Sequence, residues 1–220
     1  LPYLFASSDQ AYQAWDGEPG QAILKQFQNP GLIGVCYWDN GLRSLTTQNR
    51  PVEKPEDLAG LQIRVMENPV YLEFFNFLHA KPTPLPWEEV IPAFEQGIIE
   101  AEENSVPIIY WNHLQKYQRY LILTQHCYSP FIVLTGPSLR RKLSGSDYEW
   151  VLALFRNERF KQRQLIQEQT TRYLKILQDG GMRILTPDVK RFRELGREFS
   201  RNQLNHFSPQ FVDYFKGYLQ

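Results

Sequence analysis

The sequence predicts an α/β fold, and three observations lead to this prediction. Helical and strand patterns alternate along the whole chain. The 220 residues provide the volume of one large domain or of two lobes. A content of 42% hydrophobic and 22% charged residues is ordinary for a globular protein. Because 24 basic residues match 24 acidic ones, no overall charge attracts nucleic acid, and no nucleic-acid partner is expected.

The first predicted elements are a broken helix and a strand. Residues 9–27 have a helical pattern that Gly17 and the residues after it interrupt, so two helices are expected. Residues 32–38 are rich in β-branched and aromatic side chains, which favours a strand. Asp39-Asn40-Gly41 then predicts a turn before a short extended piece at 43–45.

Short strands and helices alternate in the middle of the chain. Residues 61–65 alternate apolar and polar side chains, which predicts a strand. Asn68-Pro69 is typical of a helix start, with an asparagine N-cap before a proline. The other predicted elements are an extended link at 82–86, helices at 87–96 and 107–115, and strands at 98–102, 120–124 and 131–134.

The longest predicted element covers residues 147–179. This stretch contains neither glycine nor proline and is rich in helix-forming residues. A single straight helix of this length would measure ~50 Å and would reach across more than one core. Gly180-Gly181 ends it, and a strand at 182–185 and helices at 189–197 and 209–219 are expected to follow.

Several familiar chemistries have no motif in this sequence. It contains no Gly-rich nucleotide loop, no zinc-protease motif and no nucleophile elbow, and its four histidines have no metal-ligand spacing. We therefore predict no cofactor and no metal. Cys36 and Cys127 are expected to be small buried residues, although a single bridge between them stays open in an oxidising compartment.

Three polar residues lie at or near the carboxyl ends of predicted strands. They are Arg43, Arg64 and Asn104, and ligands of open α/β sheets bind at that end of the strands. Any single arginine there could equally form a surface ion pair. Two arginines and an amide that converge with Trp87 would instead form a carboxylate site, because the guanidinium matches a carboxylate in a bidentate way.

Four separated stretches resemble one known family. They resemble, in order and spacing, the solute-binding subunits of tripartite ATP-independent periplasmic (TRAP) transporters, which bind dicarboxylates and sialic acid. The stretches are Tyr37-Trp38-Asp39-Asn40-Gly41-Leu42-Arg43, Leu61-Gln62-Ile63-Arg64-Val65-Met66, Lys81-Pro82-Thr83-Pro84-Leu85-Pro86-Trp87-Glu88-Glu89-Val90 and Glu102-Glu103-Asn104.

This resemblance implies a periplasmic-binding-protein-like fold of two α/β lobes with crossing strands and a long bridging helix. Lobe 1 would comprise residues 1–41 and 130–168, and lobe 2 residues 42–129 and 169–220. The family usually has further elements before Leu1, so we expect an incomplete first lobe that lacks its N-terminal portion. The resemblance also implies a removed signal peptide, a periplasmic location, a monomer, and delivery of an organic acid to the membrane permease subunits of a TRAP transporter, without enzymatic activity.

The resemblance also assigns roles to single residues. Arg64 matches the arginine that clamps the ligand carboxylate, Asn104 matches the assisting asparagine, and Arg43 matches a second basic contact. Trp87 matches an aromatic position in the cleft. Two carboxylates near this arginine, Glu67 and Glu102, complete the candidate ligand-binding residues.

One departure from the family concerns the ligand. Relatives usually have Gly-Gln where this chain has Ala101-Glu102. The extra carboxylate would repel a second carboxylate of the ligand. We therefore expect a hydroxyl-rich sugar acid rather than a compact C4-dicarboxylate.

Two alternatives use the same cleft. A ligand sensor would pass its bound state to a receptor instead of a permease. An α/β enzyme would use Glu102 and Glu103 as acid and base. Because adjacent residues of a strand point to opposite faces, only one of these two carboxylates could face a ligand.

Overall fold

Six strands form one mixed sheet in residues 1–28 and 31–219, which the computed structural model describes. The strands are β1 (Ile33–Thr47), β2 (Gln62–Val65), β3 (Lys81–Pro84), β4 (Ala101–Ser105), β5 (Tyr120–Thr135) and β6 (Arg183–Leu185). Their order in the sheet is β3-β2-β4-β1-β5-β6. β1 is antiparallel to β4 and β5, whereas β2 is parallel to β3 and β4, and β5 is parallel to β6.

The helices alternate with these strands, which confirms the predicted α/β class. They are α1 (Ser8–Asp16), α2 (Glu18–Gln26), α3 (Pro69–Phe77), α4 (Val90–Glu95), α5 (Val106–Trp111), α6 (Pro137–Lys142), α7 (Gly145–Asp179), α8 (Val189–Gln203) and α9 (Pro209–Phe215). The predicted break of the first helix is confirmed, because Gly17 caps both α1 and α2. Asn68 caps α3 as predicted, and its Oδ1 accepts a hydrogen bond of 2.9 Å from the Val70 N–H. Among the described helices, none combines the length and the apolar character needed to cross a membrane.

β1 and β5 are long continuous strands of 15 and 16 residues. The prediction of two separate pieces in each of them is wrong. The chain does not turn at 39–41 but stays in the sheet, where the register with β5 shifts between Asp39 and Leu42. Gly41 has a φ of 91°, which glycine adopts without steric cost, so the strand bends here and continues.

α7 has 35 residues and confirms the predicted long helix. Near its start, Tyr148 packs in a buried cluster with Val35 of β1. Near its end, Tyr173 packs in a different cluster with Ile109 of α5. One helix therefore braces two separate cores, as its length predicts.

Aromatic side chains fill a third core around the N-terminal segment. Phe215 of α9 lies in edge or tilted contact with Phe5 and Trp15, at centroid distances of 6.4 and 5.8 Å. The last helix, which the predicted lobe division assigns to lobe 2, thus packs against α1, which it assigns to lobe 1. The lobe boundaries themselves stay a prediction.

Two short strands differ from their predictions. The strand predicted at 98–102 lies at Ala101–Ser105, so Asn104 is inside it rather than after it. The predicted link at 82–86 begins within β3, at the sheet edge, where prolines are tolerated because only one side of the strand needs hydrogen bonds. Cys36 and Cys127 are buried and unbridged, which confirms their reading as small buried residues.

Candidate functional site

β4 separates two groups of buried polar side chains, one on each face of the sheet. Its residues alternate between the faces, as in any strand. On one face, Glu102 lies opposite Arg64 of β2 and opposite Thr46 of β1. On the other face, Glu103 contacts Arg43 of β1. The structure therefore confirms that these two neighbouring carboxyls cannot serve one ligand together.

Arg43 is fully engaged by its own strand partners. Its Nε and Nη2 donate to the two carboxylate oxygens of Glu103 at 2.5 and 2.8 Å. Nη2 also donates to the Glu103 carbonyl at 2.6 Å, and Nη1 donates to Oδ1 of Asn104 at 3.1 Å. Burial by itself would lower the pKa of Arg43, but the Glu103 charge outweighs it and raises that pKa above its ordinary value.

His126 completes this group, which we call the Arg43 network (Arg43, Glu103, His126). Its Nε2 lies 3.1 Å from Oε2 of Glu103, and its Nδ1 lies 2.9 Å from Oγ1 of Thr124. Burial favours a raised pKa for Glu103, but Arg43 and His126 outweigh it and hold that pKa below the usual value. The Tyr71 ring covers this face, with its centroid 5.6 Å from the Arg43 guanidinium carbon.

Arg64 lies on the opposite face and is only 4% exposed. Its Nε and Nη2 donate to the Leu85 carbonyl at 2.9 and 2.7 Å, and its guanidinium carbon is 5.4 Å from the Trp87 ring centroid. Among the described residues, no carboxylate lies within ion-pair distance of this guanidinium, and none accepts a hydrogen bond from Nη1. Burial lowers the pKa of Arg64, and the more distant charges of Glu102 and Glu103 counter this only in part.

Hydrogen bonds fix two further candidate site side chains, Trp87 and Asn104. Nε1 of Trp87 donates to Oδ1 of Asn112 at 3.2 Å, which orients the indole. Oδ1 of Asn104 accepts from Arg43 and from the N–H of Ser105, both at 3.1 Å. The Asn104 side chain also hydrogen-bonds to the Glu102 carboxyl, a contact in which only Nδ2 can donate and which favours the ionised form of Glu102. Asn104 also links the Arg43 network to the face of Arg64.

Glu102 is fully buried and incompletely bonded. Its Oε1 lies 3.4 Å from Oγ1 of Thr46, and its Oε2 has no hydrogen-bond partner among the described residues. Burial, followed by the charge of Glu103, raises the pKa of Glu102 to about 7. Glu67 is exposed in the loop after β2, so the structure does not bring this predicted site residue into the buried cluster.

The sequence interpretation missed three residues of this site. Thr46 sits in a strand interior, His126 had no motif around it, and Asn112 ends a short helix. An open groove of about 480 Å³ lies elsewhere, lined mainly by α7 and Trp38, and contains none of the candidate site residues. The candidate site is therefore identified by the charge and burial of its side chains and not by the volume of this groove. No group of three or more metal-ligating side chains occurs within residues 1–28 and 31–219.

Comparisons with known proteins give the same family as the sequence motifs. Residues 1–205 match the family DctP, described as bacterial extracellular solute-binding protein, family 7. The 2,3-diketo-L-gulonate-binding periplasmic protein YiaO of Escherichia coli is 29% identical over 221 aligned positions, which cover 99% of this chain and 66% of that protein. The chain spans 41%, 66% and 55% of the lengths of three curated relatives that it matches.

Two solved structures have the same fold as this chain. A TRAP periplasmic solute-binding protein from Sulfitobacter sp. NAS-14.1, with bound β-D-galacturonate, has a TM-score of 0.90 and 28% identity over 98% of this chain and 72% of that one. A second, from Polaromonas sp. JS666 and bound to D-erythronate, has a TM-score of 0.91 and 29% identity over 100% of this chain and 72% of that one.

These findings confirm the predicted fold and the predicted family of extracytoplasmic solute-binding proteins. The family and these neighbours are solute-binding proteins rather than enzymes, which confirms the prediction of a non-enzyme. The relatives are periplasmic, as predicted. The chain belongs to the DctP family, family 7 of the bacterial extracellular solute-binding proteins.

Proposed function

We propose that this protein captures an organic acid of the sugar-acid type through Arg64 and delivers it to the membrane permease of a TRAP transporter. One observation carries the proposal: Arg64 is a buried cation, and no carboxylate of the described residues forms an ion pair with it. A buried charge is costly unless an opposite charge accompanies it. The anionic group of a ligand would supply that charge.

The geometry of the guanidinium suits a carboxylate. Leu85 holds Nε and one N–H of Nη2, so Nη1 and the second N–H of Nη2 point away together. This pair of donors matches the two oxygens of a carboxylate in the bidentate arrangement that makes such contacts strong. Trp87 supplies an apolar wall, and a ligand would share Nδ2 of Asn104 with the Glu102 carboxyl. Arg43 acts here through Asn104, whose amide it orients.

The ligands of the relatives support a hydroxylated acid. The E. coli relative is named for 2,3-diketo-L-gulonate, and the two solved neighbours hold galacturonate and erythronate. Each of these ligands has one carboxylate and several oxygen substituents. Arg64, which forms no ion pair with a carboxylate of the described residues, fits one ligand carboxylate rather than two.

Capture in this proposal requires no chemistry on the ligand. The ligand carboxylate docks on Arg64, and closure around it excludes water, which strengthens charge-assisted hydrogen bonds. The ligand shifts the population toward the closed form because it contacts that form more extensively. The permease then recognises the closed, loaded protein.

Calorimetric titration of the native protein with D-galacturonate and D-erythronate tests the proposal. We expect Arg64→Met to weaken binding at least about 30-fold, the effect of losing ~2 kcal/mol from a charged contact. Arg141→Met is the matched control, because Arg141 is an exposed arginine of α6. Wild-type affinity in a folded Arg64→Met variant would refute the role of Arg64, and binding of neither acid by the wild type would refute the sugar-acid class.

A further inference from the structure

Glu102 is a buried carboxyl on the same face as the proposed ligand clamp. It is 0% exposed, it lies opposite Arg64 in the parallel pairing of β2 and β4, and its Oε2 has no partner among the described residues. A buried carboxyl oxygen without a partner is costly in either protonation state. The structure therefore contains one buried, incompletely bonded carboxyl opposite one buried arginine.

The charges around Glu102 come from every neighbouring strand. β2 contributes Arg64, β1 contributes Arg43 and the neutral Thr46, and β4 itself contributes Glu103 and Asn104. His126 of β5 acts through its contact with Glu103. Arg43 and Glu103 neutralise one another at 2.5 Å, so Arg64 is the cation that remains to balance Glu102.

A ligand carboxylate on Arg64 changes this balance. With Glu102 ionised, the face would hold two carboxylates and one guanidinium without water, and two like charges in one buried site cannot both stay ionised at low cost. Protonation of Glu102 removes the excess charge. Glu102 is close to this change already, because burial and the charge of Glu103 raise its pKa to about 7.

We infer that Glu102 takes up a proton from solvent when an organic acid binds Arg64, and that its protonated carboxyl then donates a hydrogen bond to an oxygen of the ligand. The inference rests on the proposed function and deepens it. The ligand stays an anion, the proton comes to rest on the Glu102 carboxyl, and the charge of the site is the same before and after binding. Capture is thereby coupled to the uptake of up to one proton.

This coupling also selects the ligand. A protonated Glu102 is a donor and suits a hydroxyl, ether or carbonyl oxygen of a sugar acid. A second carboxylate of the ligand would find this donor but no second arginine of the candidate site, because Arg43 pairs with Glu103. Glu102 is therefore proposed as a specificity-determining residue.

The test is calorimetry of the native protein with D-galacturonate in two buffers of different ionisation enthalpy. At about pH 8, where Glu102 is mostly ionised before binding, we expect uptake of nearly one proton and an affinity that falls about tenfold for each further pH unit. Glu102→Gln should abolish the uptake, flatten the pH profile and bind more tightly than the wild type at that pH. Glu149→Gln, which removes an exposed carboxylate of α7 outside the candidate site, is the control and should behave like the wild type.

The outcomes separate this inference from the proposed function. Galacturonate binding without proton uptake and with a flat pH profile would overturn the inference and leave Arg64 as the clamp. Uptake that persists in Glu102→Gln would assign the proton to another group and would also overturn it. Absence of galacturonate binding at every pH would instead count against the proposed function. The two-buffer measurement on the wild type decides the matter even where the variant fails to fold.

Discussion

The two buried arginines of this protein differ in what surrounds them. Arg43 donates to both carboxylate oxygens of Glu103, to the Glu103 carbonyl and to Asn104. Arg64 donates to one neutral carbonyl, that of Leu85, and to no other described residue. Both side chains are almost completely buried. A buried charge that the protein itself neutralises holds the fold, whereas one that it leaves unpaired is available for a ligand.

The difference arises from the alternation of β4. Glu103 points to the face of Arg43, where it can reach the guanidinium, and Glu102 points to the face of Arg64 without forming an ion pair with it. Asn104 joins the two faces through its bond to Arg43. The same five-residue strand thus supplies a structural ion pair and a candidate binding site.

The largest effect is expected for Arg43→Met. It leaves the Glu103 carboxylate buried without its main partner, and breaking a buried pair in this way typically costs about 3–5 kcal/mol. Urea unfolding would measure the loss of free energy of unfolding, with Arg141→Met as the exposed control. A loss below about 1 kcal/mol would show that Arg43 does not hold the fold.

A smaller and opposite effect is expected for Glu102→Gln. The pKa of Glu102 is raised from 4.5 to about 7. The protonated carboxyl therefore contributes its full stability to the wild type below about pH 4.5, and this contribution is lost as the pH rises through 7. Glutamine does not titrate, and the variant should gain up to about 3 kcal/mol over the wild type at high pH, at about 1.4 kcal/mol per pKa unit. The free energy of unfolding of both proteins should be measured across this range. A difference that does not change with pH would show that Glu102 keeps an ordinary pKa.

Trp87→Phe should weaken sugar-acid binding by a few-fold. Phenylalanine keeps an aromatic face near Arg64 but loses the hydrogen bond to Asn112, which is worth about 1 kcal/mol. Titration with D-galacturonate would measure the affinity, and Trp150→Phe, at a 66% exposed tryptophan, is the matched control. If the two variants bound D-galacturonate equally well, the indole of Trp87 would not contribute to the site.

The smallest effect on stability is expected for Arg64→Met. Arg64 forms no ion pair with a carboxylate of the described residues, so its removal breaks no short charged contact, and the desolvation cost of the cation disappears. Glu102, whose pKa is already raised to about 7, can take up a proton once the charge of Arg64 is gone. We expect a free energy of unfolding within about 1 kcal/mol of the wild type near pH 7. If Arg64→Met lost as much free energy of unfolding as Arg43→Met, both arginines would hold the fold. The proposed difference between a structural Arg43 and a ligand-binding Arg64 would then be wrong.

The sequence predicted the elements with strong local signals and misplaced the strand that is made of polar residues. Residues 147–179 and the Asn68 cap carry strong local signals, and both were predicted. The predicted position of β4 was three residues too early in the sequence. Glu102-Glu103-Asn104-Ser105 lacks the apolar pattern that identifies a buried strand. Its burial depends on Arg43 and Thr46, which lie far away in sequence. Local rules fail most often where function places polar groups inside a fold.

The candidate site was predicted in part. The family motifs identified Arg43, Arg64, Asn104 and Trp87, and the structure places Arg64 beside Trp87 and Arg43 beside Asn104. The sequence could not show that Glu103 forms an ion pair with Arg43, because this pairing depends on the register of β1 and β4. For the same reason His126 could not be recognised as a partner of Glu103.

A crystal structure of the native protein with bound D-galacturonate would show whether Arg64 holds the ligand. We expect the ligand carboxylate within hydrogen-bond distance of Nη1 and Nη2 of Arg64, with Nδ2 of Asn104 beside it and the Arg43 network unchanged. A carboxylate bound to Arg43 in place of Glu103, or a ligand seated away from Arg64, would contradict this expectation.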